Sequence, residues 1–72
     1  MKTYKLRNSI RVQRAIKKIT QEELATEVDV TRKTINTIEN EIFVPSALLA
    51  MKIAKYFGVP MEEIFYLEIT EE

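Results

Sequence analysis

The chain has 72 residues with no cysteine and no histidine, and its acidic and basic side chains are equal in number, so the formal net charge is zero. This length fits one small domain, and the lack of cysteine excludes a disulfide framework and a cysteine-based zinc site. Without histidine the commonest general base and metal ligand is missing, and no nucleophile–base set or metal cluster is visible, so we predict no enzyme, no metal and no cofactor.

Charge is distributed unevenly along the chain. Residues 1–21 contain seven basic side chains and no acid, whereas residues 57–72 contain five glutamates and no base. A dipolar chain of this kind can present a basic face to phosphate while it stays neutral overall, although chance clustering on a solvated surface would give the same counts. No apolar run approaches the ~18 residues of a membrane span and no signal peptide is visible, so we expect a soluble cytoplasmic protein.

Periodicity and capping residues divide the chain into five helices with a short β-prone segment at each end. Alternation of polar and apolar residues indicates strands, and Gly58 is typical of the left-handed residue that ends a helix. The predicted strands cover about 3–6 and 66–69, and the predicted helices about 8–18, 21–28, 32–40, 46–57 and 60–65.

The centre of the chain, about residues 20–40, has the pattern of two short helices joined by a sharp corner. Thr20 followed by Glu23 is a capping-box pattern, and Thr31 is placed to cap the next helix. Only Asp29 and Val30 lie between the two helices. This arrangement is a helix-turn-helix, whose second helix enters the major groove of DNA.

The sequence around this motif resembles the Cro/C1 (Xre) family of helix-turn-helix proteins. The resemblance extends over about residues 8–65 and is carried, in the family's order and spacing, by TQEELA (20–25), VDVTRKTI (28–35), IEN (38–40), PS (45–46), KIAKYFGV (52–59) and EEIF (62–65). The length of the chain and its polar, β-prone ends also resemble those of the small dimeric repressors of the cytolysin-repressor type. The resemblance implies an all-α, five-helix, lambda-repressor-like domain over residues 1–72, with the two ends as candidates for a small two-stranded antiparallel sheet.

The resemblance also implies which residues contact DNA. The side chains expected to read base edges are Arg32, Lys33, Asn36 and Thr37, because Arg and Lys suit guanine, Asn suits adenine and the Thr methyl suits thymine. The side chains expected to hold the phosphate backbone are Lys18, Gln21, Thr31, Thr34 and Asn40. Two alternatives remain open: Lys33 contacts phosphate alone, or Gln21 is a plain surface residue.

A further pair is expected to orient the reading helix. Arg14 of the first helix and Glu39 of the third match a pair that the family often forms, although two independent surface charges are the simpler alternative. Four positions depart from the family pattern: Asp29 and Glu41 stand where glycine is usual, Gln13 where an apolar residue is usual, and Ile16 where a polar residue is usual. A glycine position indicates positive φ, which Asp tolerates better than Glu.

The C-terminal segment contains more apolar residues than a core of this size needs, and we predict a homodimer interface there. The predicted interface residues are Met61, Ile64, Phe65, Leu67 and Ile69. The predicted function is a homodimeric repressor that occupies a palindromic operator in double-stranded DNA. The alternatives are an antitoxin that regulates its own toxin–antitoxin pair, and a protein-interaction module that keeps the fold without reading DNA.

Overall fold

The protein, described here from a computed structural model, contains five α-helices and a two-stranded sheet within residues 1–71. Residue 72, which the predicted domain included, lies outside the described residues. In chain order the elements are β1 (Lys2–Asn8), α1 (Ile10–Lys17), α2 (Gln21–Val28), α3 (Arg32–Glu39), α4 (Ala47–Phe57), α5 (Met61–Ile64) and β2 (Phe65–Glu71). None of the helices in residues 1–71 is long and apolar enough to cross a bilayer.

Side-chain caps fix where three of the helices begin. Thr20, Thr31 and Ser46 each accept a hydrogen bond from the backbone N–H three residues later, at 3.0, 3.3 and 3.1 Å. Glu23 completes the capping box at Thr20 by accepting from the Thr20 backbone N–H at 3.0 Å. Each cap contributes about 1 kcal/mol to helix stability, which matters for helices of only two turns.

Left-handed residues directly follow three of the helices. Lys18, Asp29 and Gly58 follow α1, α2 and α4 with φ of 59°, 66° and 70°. Glu41, two residues after the end of α3, has φ of 62°. The positive φ predicted at Asp29 and Glu41 is therefore confirmed, and Lys18 is a third non-glycine residue in this conformation.

The core lies between the helices and is apolar: among residues 1–71 no polar or charged residue is buried over its backbone and side chain together, although the side chain of Glu39 is. In α2, α3 and α4 the buried residues are apolar and recur at helical spacing. The residues of the core are Ile10, Leu24, Ala25, Val28, Ile35, Ile38, Leu49, Ala50, Ile53, Ala54, Phe57, Ile64 and Phe65. On α1, Val12 and Ile16 face solvent, so the departure at Ile16 leaves an apolar stripe on the surface.

The ends of the chain form an antiparallel ribbon in which Leu6 pairs with Leu67 and Tyr4 pairs with Ile69. The predicted antiparallel sheet is confirmed, with longer strands than expected, and the fold is therefore mostly helical with a small sheet rather than all-α. Directly paired residues project from the same face of a sheet, so these four apolar side chains share one face. Tyr4, Leu67 and Ile69 are about half exposed or more, so this face of the ribbon meets solvent.

Candidate DNA-binding surface

The helix-turn-helix is formed by α2, a corner at Asp29 and Val30, and α3. Left-handed Asp29 reverses the chain, and the Val30 N–H donates to the Ala25 carbonyl at 3.0 Å. The half-buried Val30 side chain packs against the core. With Thr31 capping α3 immediately afterwards, the corner fixes the start of the second helix relative to the first.

The four predicted base-reading residues lie on one side of α3. Ile35 and Ile38 are buried against the core, whereas Arg32, Lys33 and Asn36 are exposed. Thr37, the fourth, is half-buried. The exposed face of α3 therefore carries two full positive charges, and within residues 1–71 neither of these two bases belongs to an ion pair.

Four of the five residues predicted to contact the DNA backbone have side-chain partners within the motif. The Gln21 side-chain amide donates to Asn36 Oδ1 at 3.2 Å and to Glu39 Oε1 at 3.1 Å. The Asn40 amide also donates to Asn36 Oδ1, at 3.3 Å. Gln21 is therefore more than a plain surface residue, because it links the start of α2 to the side chains of α3.

The two threonines of this set bond to each other, since Thr31 and Thr34 share a hydroxyl hydrogen bond of 3.1 Å. Lys18 lies on the exposed turn between α1 and α2. Its charge is at the edge of the motif, and within residues 1–71 its side chain has no hydrogen bond or ion pair with α3.

The predicted pair of Arg14 and Glu39 is present and bidentate. Arg14 Nε donates to Glu39 Oε2 at 2.6 Å and Nη2 donates to Oε1 at 3.0 Å, while Nη1 donates to the Ile19 carbonyl. The Glu39 side chain is only 1% exposed. Two rigid planar groups joined by two parallel bonds admit little rotation, so the pair fixes the end of α3 against α1.

The surroundings of Glu39 determine its charge. Burial alone would raise its pKa, but the hydrogen bonds from Arg14 and Gln21, with the charges of Arg14 and Arg11, hold the pKa of this carboxyl below its usual value. The hydrogen bond with Glu39 in turn raises the pKa of Arg14. Both groups are therefore charged near neutral pH, and their geometry does not change with pH there.

Part of the basic N-terminal segment is neutralised by acids elsewhere in the fold. Arg7 Nε donates to Glu41 Oε2 at 2.5 Å, and Arg7 Nη1 donates to Glu68 at 2.9 Å. Lys5 Nζ lies 3.6 Å from Glu41 Oε1. The expectation that this segment offers a basic face to phosphate is thus reduced, and the exposed charges at the motif are chiefly those of Lys18, Arg32 and Lys33.

Sequence reasoning missed the contacts that join β1 to the end of α3. Besides the ion pair of Arg7 with Glu41, the Asn8 amide donates to the Ile38 carbonyl at 2.9 Å. The bond from Arg7 lowers the pKa of Glu41. The signal in the sequence was an acid in a position that favours glycine, since Glu at positive φ indicates a compensating partner.

The predicted dimer interface divides into two groups. Ile64 is fully buried and Phe65 is 8% exposed, and both belong to the core of the same chain. Their prediction as surface residues is therefore corrected: α5 packs inward, and the Ser9 N–H donates to the Ile64 carbonyl at 2.9 Å. Met61, Leu67 and Ile69 are exposed by 39%, 58% and 53% and remain available to a partner.

The α2–corner–α3 geometry, with its exposed basic face, defines a helix-turn-helix DNA-binding domain, a class that carries out no catalysis. The helix-turn-helix family model matches residues 10–64, and the chain belongs to this family, in its Cro/C1 type. The chain is 46% identical to an uncharacterized HTH-type transcriptional regulator of Methanocaldococcus jannaschii, covering 92% of this chain and 100% of the relative. It is 44% identical to the uncharacterized HTH-type transcriptional regulator YgzD of Bacillus subtilis, covering 88% of this chain and 96% of the relative. The protein is therefore an HTH-type, DNA-binding transcriptional regulator.

Proposed function

We propose that this regulator is a repressor that binds a palindromic operator as a homodimer and blocks a promoter by occupying it. The observation that carries the proposal is the exposed face of α3, where Arg32 and Lys33 stand on a helix fixed by the Arg14–Glu39 pair. A helix held in this way keeps its reading side chains in register, and a preorganised site loses less entropy on binding.

Readout of bases is assigned to the start and middle of α3. Arg32 and Lys33 suit the O6 and N7 acceptors of guanine, and Thr37 suits a thymine methyl. Asn36 already accepts from Gln21 and Asn40 through its Oδ1, which leaves its own amide hydrogens to donate. We assign the backbone contacts to Lys18, Gln21, Thr31, Thr34 and Asn40, which surround this face.

Dimerisation is assigned to the apolar face of the ribbon and the exposed start of α5. A two-stranded ribbon is marginally stable alone in water, so a solvated face that includes Tyr4, Leu67 and Ile69 would gain from a partner. Two-fold symmetry would place two α3 helices on half-sites about one helical turn apart.

Selection of bound duplexes from a random pool tests DNA reading directly. We expect wild-type protein to enrich one palindromic sequence. Arg32→Ala should cost about 1–3 kcal/mol on that sequence and much less on random DNA. Lys55→Ala, which removes an exposed base from α4 outside the motif, is the matched control and should bind as wild type does. Equal losses on both DNAs would reduce Arg32 to a phosphate contact, and the absence of any enriched sequence would reject the proposal.

A further inference from the structure

A shallow, mainly apolar depression lies beside the reading residues, between α3 and the loop that follows it. It is lined by Thr31, Lys33, Thr34, Thr37, Ile42 and Phe43. Ile42 is 78% exposed and Phe43 is 49% exposed, and neither belongs to the core. Exposing large apolar side chains to water is unfavourable, so a group of them on the surface of a DNA-binding motif indicates a binding site.

Backbone hydrogen bonds hold the loop that follows α3 against the end of this helix. The Thr37 carbonyl accepts hydrogen bonds from the backbone N–H groups of both Ile42 and Phe43, at 2.9 and 3.2 Å. Left-handed Glu41 turns the chain back toward the helix, and its ion pair with Arg7 anchors that turn. The backbone that carries the two apolar side chains therefore has a fixed position relative to the reading face.

The threonines of the depression have used much of their hydrogen-bonding capacity. Thr31 and Thr34 share one hydroxyl hydrogen, and the Thr37 hydroxyl donates to the Thr34 carbonyl at 3.0 Å. Two of the three hydroxyl hydrogens are thus donated within the motif. One hydroxyl of the Thr31–Thr34 pair keeps a hydrogen for a phosphate oxygen, and the methyl groups of the threonines are left to contact apolar groups of a ligand. Lys33 is the one charged side chain in the lining.

The major groove offers one apolar group on its base edges, the C5-methyl of thymine, beside the O4 acceptor of the same base. A depression with apolar walls and one lysine at its rim matches that combination. We propose that Ile42 and Phe43 receive thymine methyl groups, so that the loop after α3 contributes to sequence specificity. This inference rests on the proposed function and adds specificity residues outside the recognition helix.

Replacing thymine by uracil in the selected duplex tests the proposal, since uracil pairs identically and lacks only the methyl group. For each thymine replaced singly, we expect wild-type protein to lose about fourfold in affinity at one or two positions per half-site, as for one buried methylene-sized group. Ile42→Ala and Phe43→Ala should bind the thymine duplex more weakly and lose this sensitivity to the methyl group.

Val44→Ala is the matched control, because Val44 is exposed in the same loop but does not line the depression. It should keep the methyl sensitivity of the wild type. Thermal melts followed by circular dichroism should show that all three variants fold, since the replaced side chains are exposed.

The outcomes separate this inference from the function beneath it. If an operator is enriched but binds equally with thymine or uracil, the inference fails while the repressor proposal stands. If methyl sensitivity persists unchanged in Ile42→Ala and Phe43→Ala, the methyl groups contact α3 alone and the loop has no reading role. If those variants change only the oligomeric state, the depression belongs to an interface between copies, and the inference fails. If no operator is enriched, both proposals fail.

Discussion

Breaking the Arg14–Glu39 pair should show how strongly the reading helix is tied to the rest of the domain. Arg14→Ala removes two hydrogen bonds, of 2.6 and 3.0 Å, from a carboxylate that is 1% exposed. Loss of one partner of a buried pair leaves an uncompensated charge, at a cost of about 3–5 kcal/mol when burial is complete. Gln21 still donates to Glu39 and Arg11 lies 3.5 Å away, so we expect about 2–3 kcal/mol here.

The reverse substitution should cost less. Glu39→Ala leaves Arg14 with its bond to the Ile19 carbonyl and with access to water, because its side chain is 15% exposed. In the double variant the interaction between the two side chains is removed only once, whereas each single variant also removes it. We therefore expect a coupling free energy of about 1–2 kcal/mol between the two sites.

Urea denaturation of the wild type, both single variants and the double variant at pH 7 measures this coupling. Glu27, an exposed acid of α2 that makes no ion pair within residues 1–71, provides the control: Arg14→Ala and Glu27→Ala should be additive. Additivity of Arg14→Ala and Glu39→Ala within about 0.3–0.5 kcal/mol would refute the view that the pair fixes α3.

Three further predictions follow from the fold. Asp29→Gly should leave DNA binding intact and should leave the free energy of unfolding unchanged or raise it by up to about 1 kcal/mol, because glycine adopts φ of 66° without strain. Gly58→Ala, the converse change at φ of 70°, should lower the free energy of unfolding by about 1 kcal/mol in the same urea titration. A lower free energy of unfolding in Asp29→Gly would indicate that Asp29 makes a specific bond. The pKa of Glu39 is lowered in the folded state, so its contribution to stability is present above the unfolded pKa of about 4.3 and is lost as pH falls through the lower folded pKa. The coupling between Arg14 and Glu39 measured at pH 7 should therefore vanish below the folded pKa of Glu39. A coupling that persists below that pKa would assign the interaction to packing. Leu67→Asp should give a monomer in sedimentation that binds the palindrome far more weakly, with Glu62→Gln, at an exposed position of α5, as the control. A wild type that is monomeric at micromolar concentration rules out the stable dimer.

Local signals predicted the helices well because the chemistry that begins and ends them lies within a few residues. Thr20 is recognisable as a cap from Glu23 three positions away, Thr31 from its place just before the second helix, and Asp29 as a left-handed corner from a family pattern. The Arg14–Glu39 pair, although distant in sequence, was predictable only through the resemblance.

Contacts between distant segments could not be predicted in the same way. Nothing near Arg7 in the sequence indicates that it bonds to Glu41, and nothing near Ile64 indicates that α5 turns inward against the start of α1. Apolar content alone does not separate a core residue such as Ile64 from a surface residue such as Leu67, because both are aliphatic residues of the same C-terminal segment. Whether a residue of this segment is buried depends on the direction in which the ribbon extends from the helices, and the whole fold sets that direction.

The pairing of β1 with β2 has a consequence for how the domain folds. The two strands come from opposite ends of the chain, so the ribbon closes a loop that contains all five helices, whereas the contacts between α2 and α3 are short in sequence. Closing a long loop costs entropy that must be offset by contacts made afterwards, so we expect the helices to form early and the ribbon last. Amide hydrogens of β1 and β2 should then exchange with solvent by partial opening, while those of α2 and α3 require global unfolding. The recognition motif would assemble first and the proposed dimer surface second, so each chain would complete its reading helix before it meets a partner.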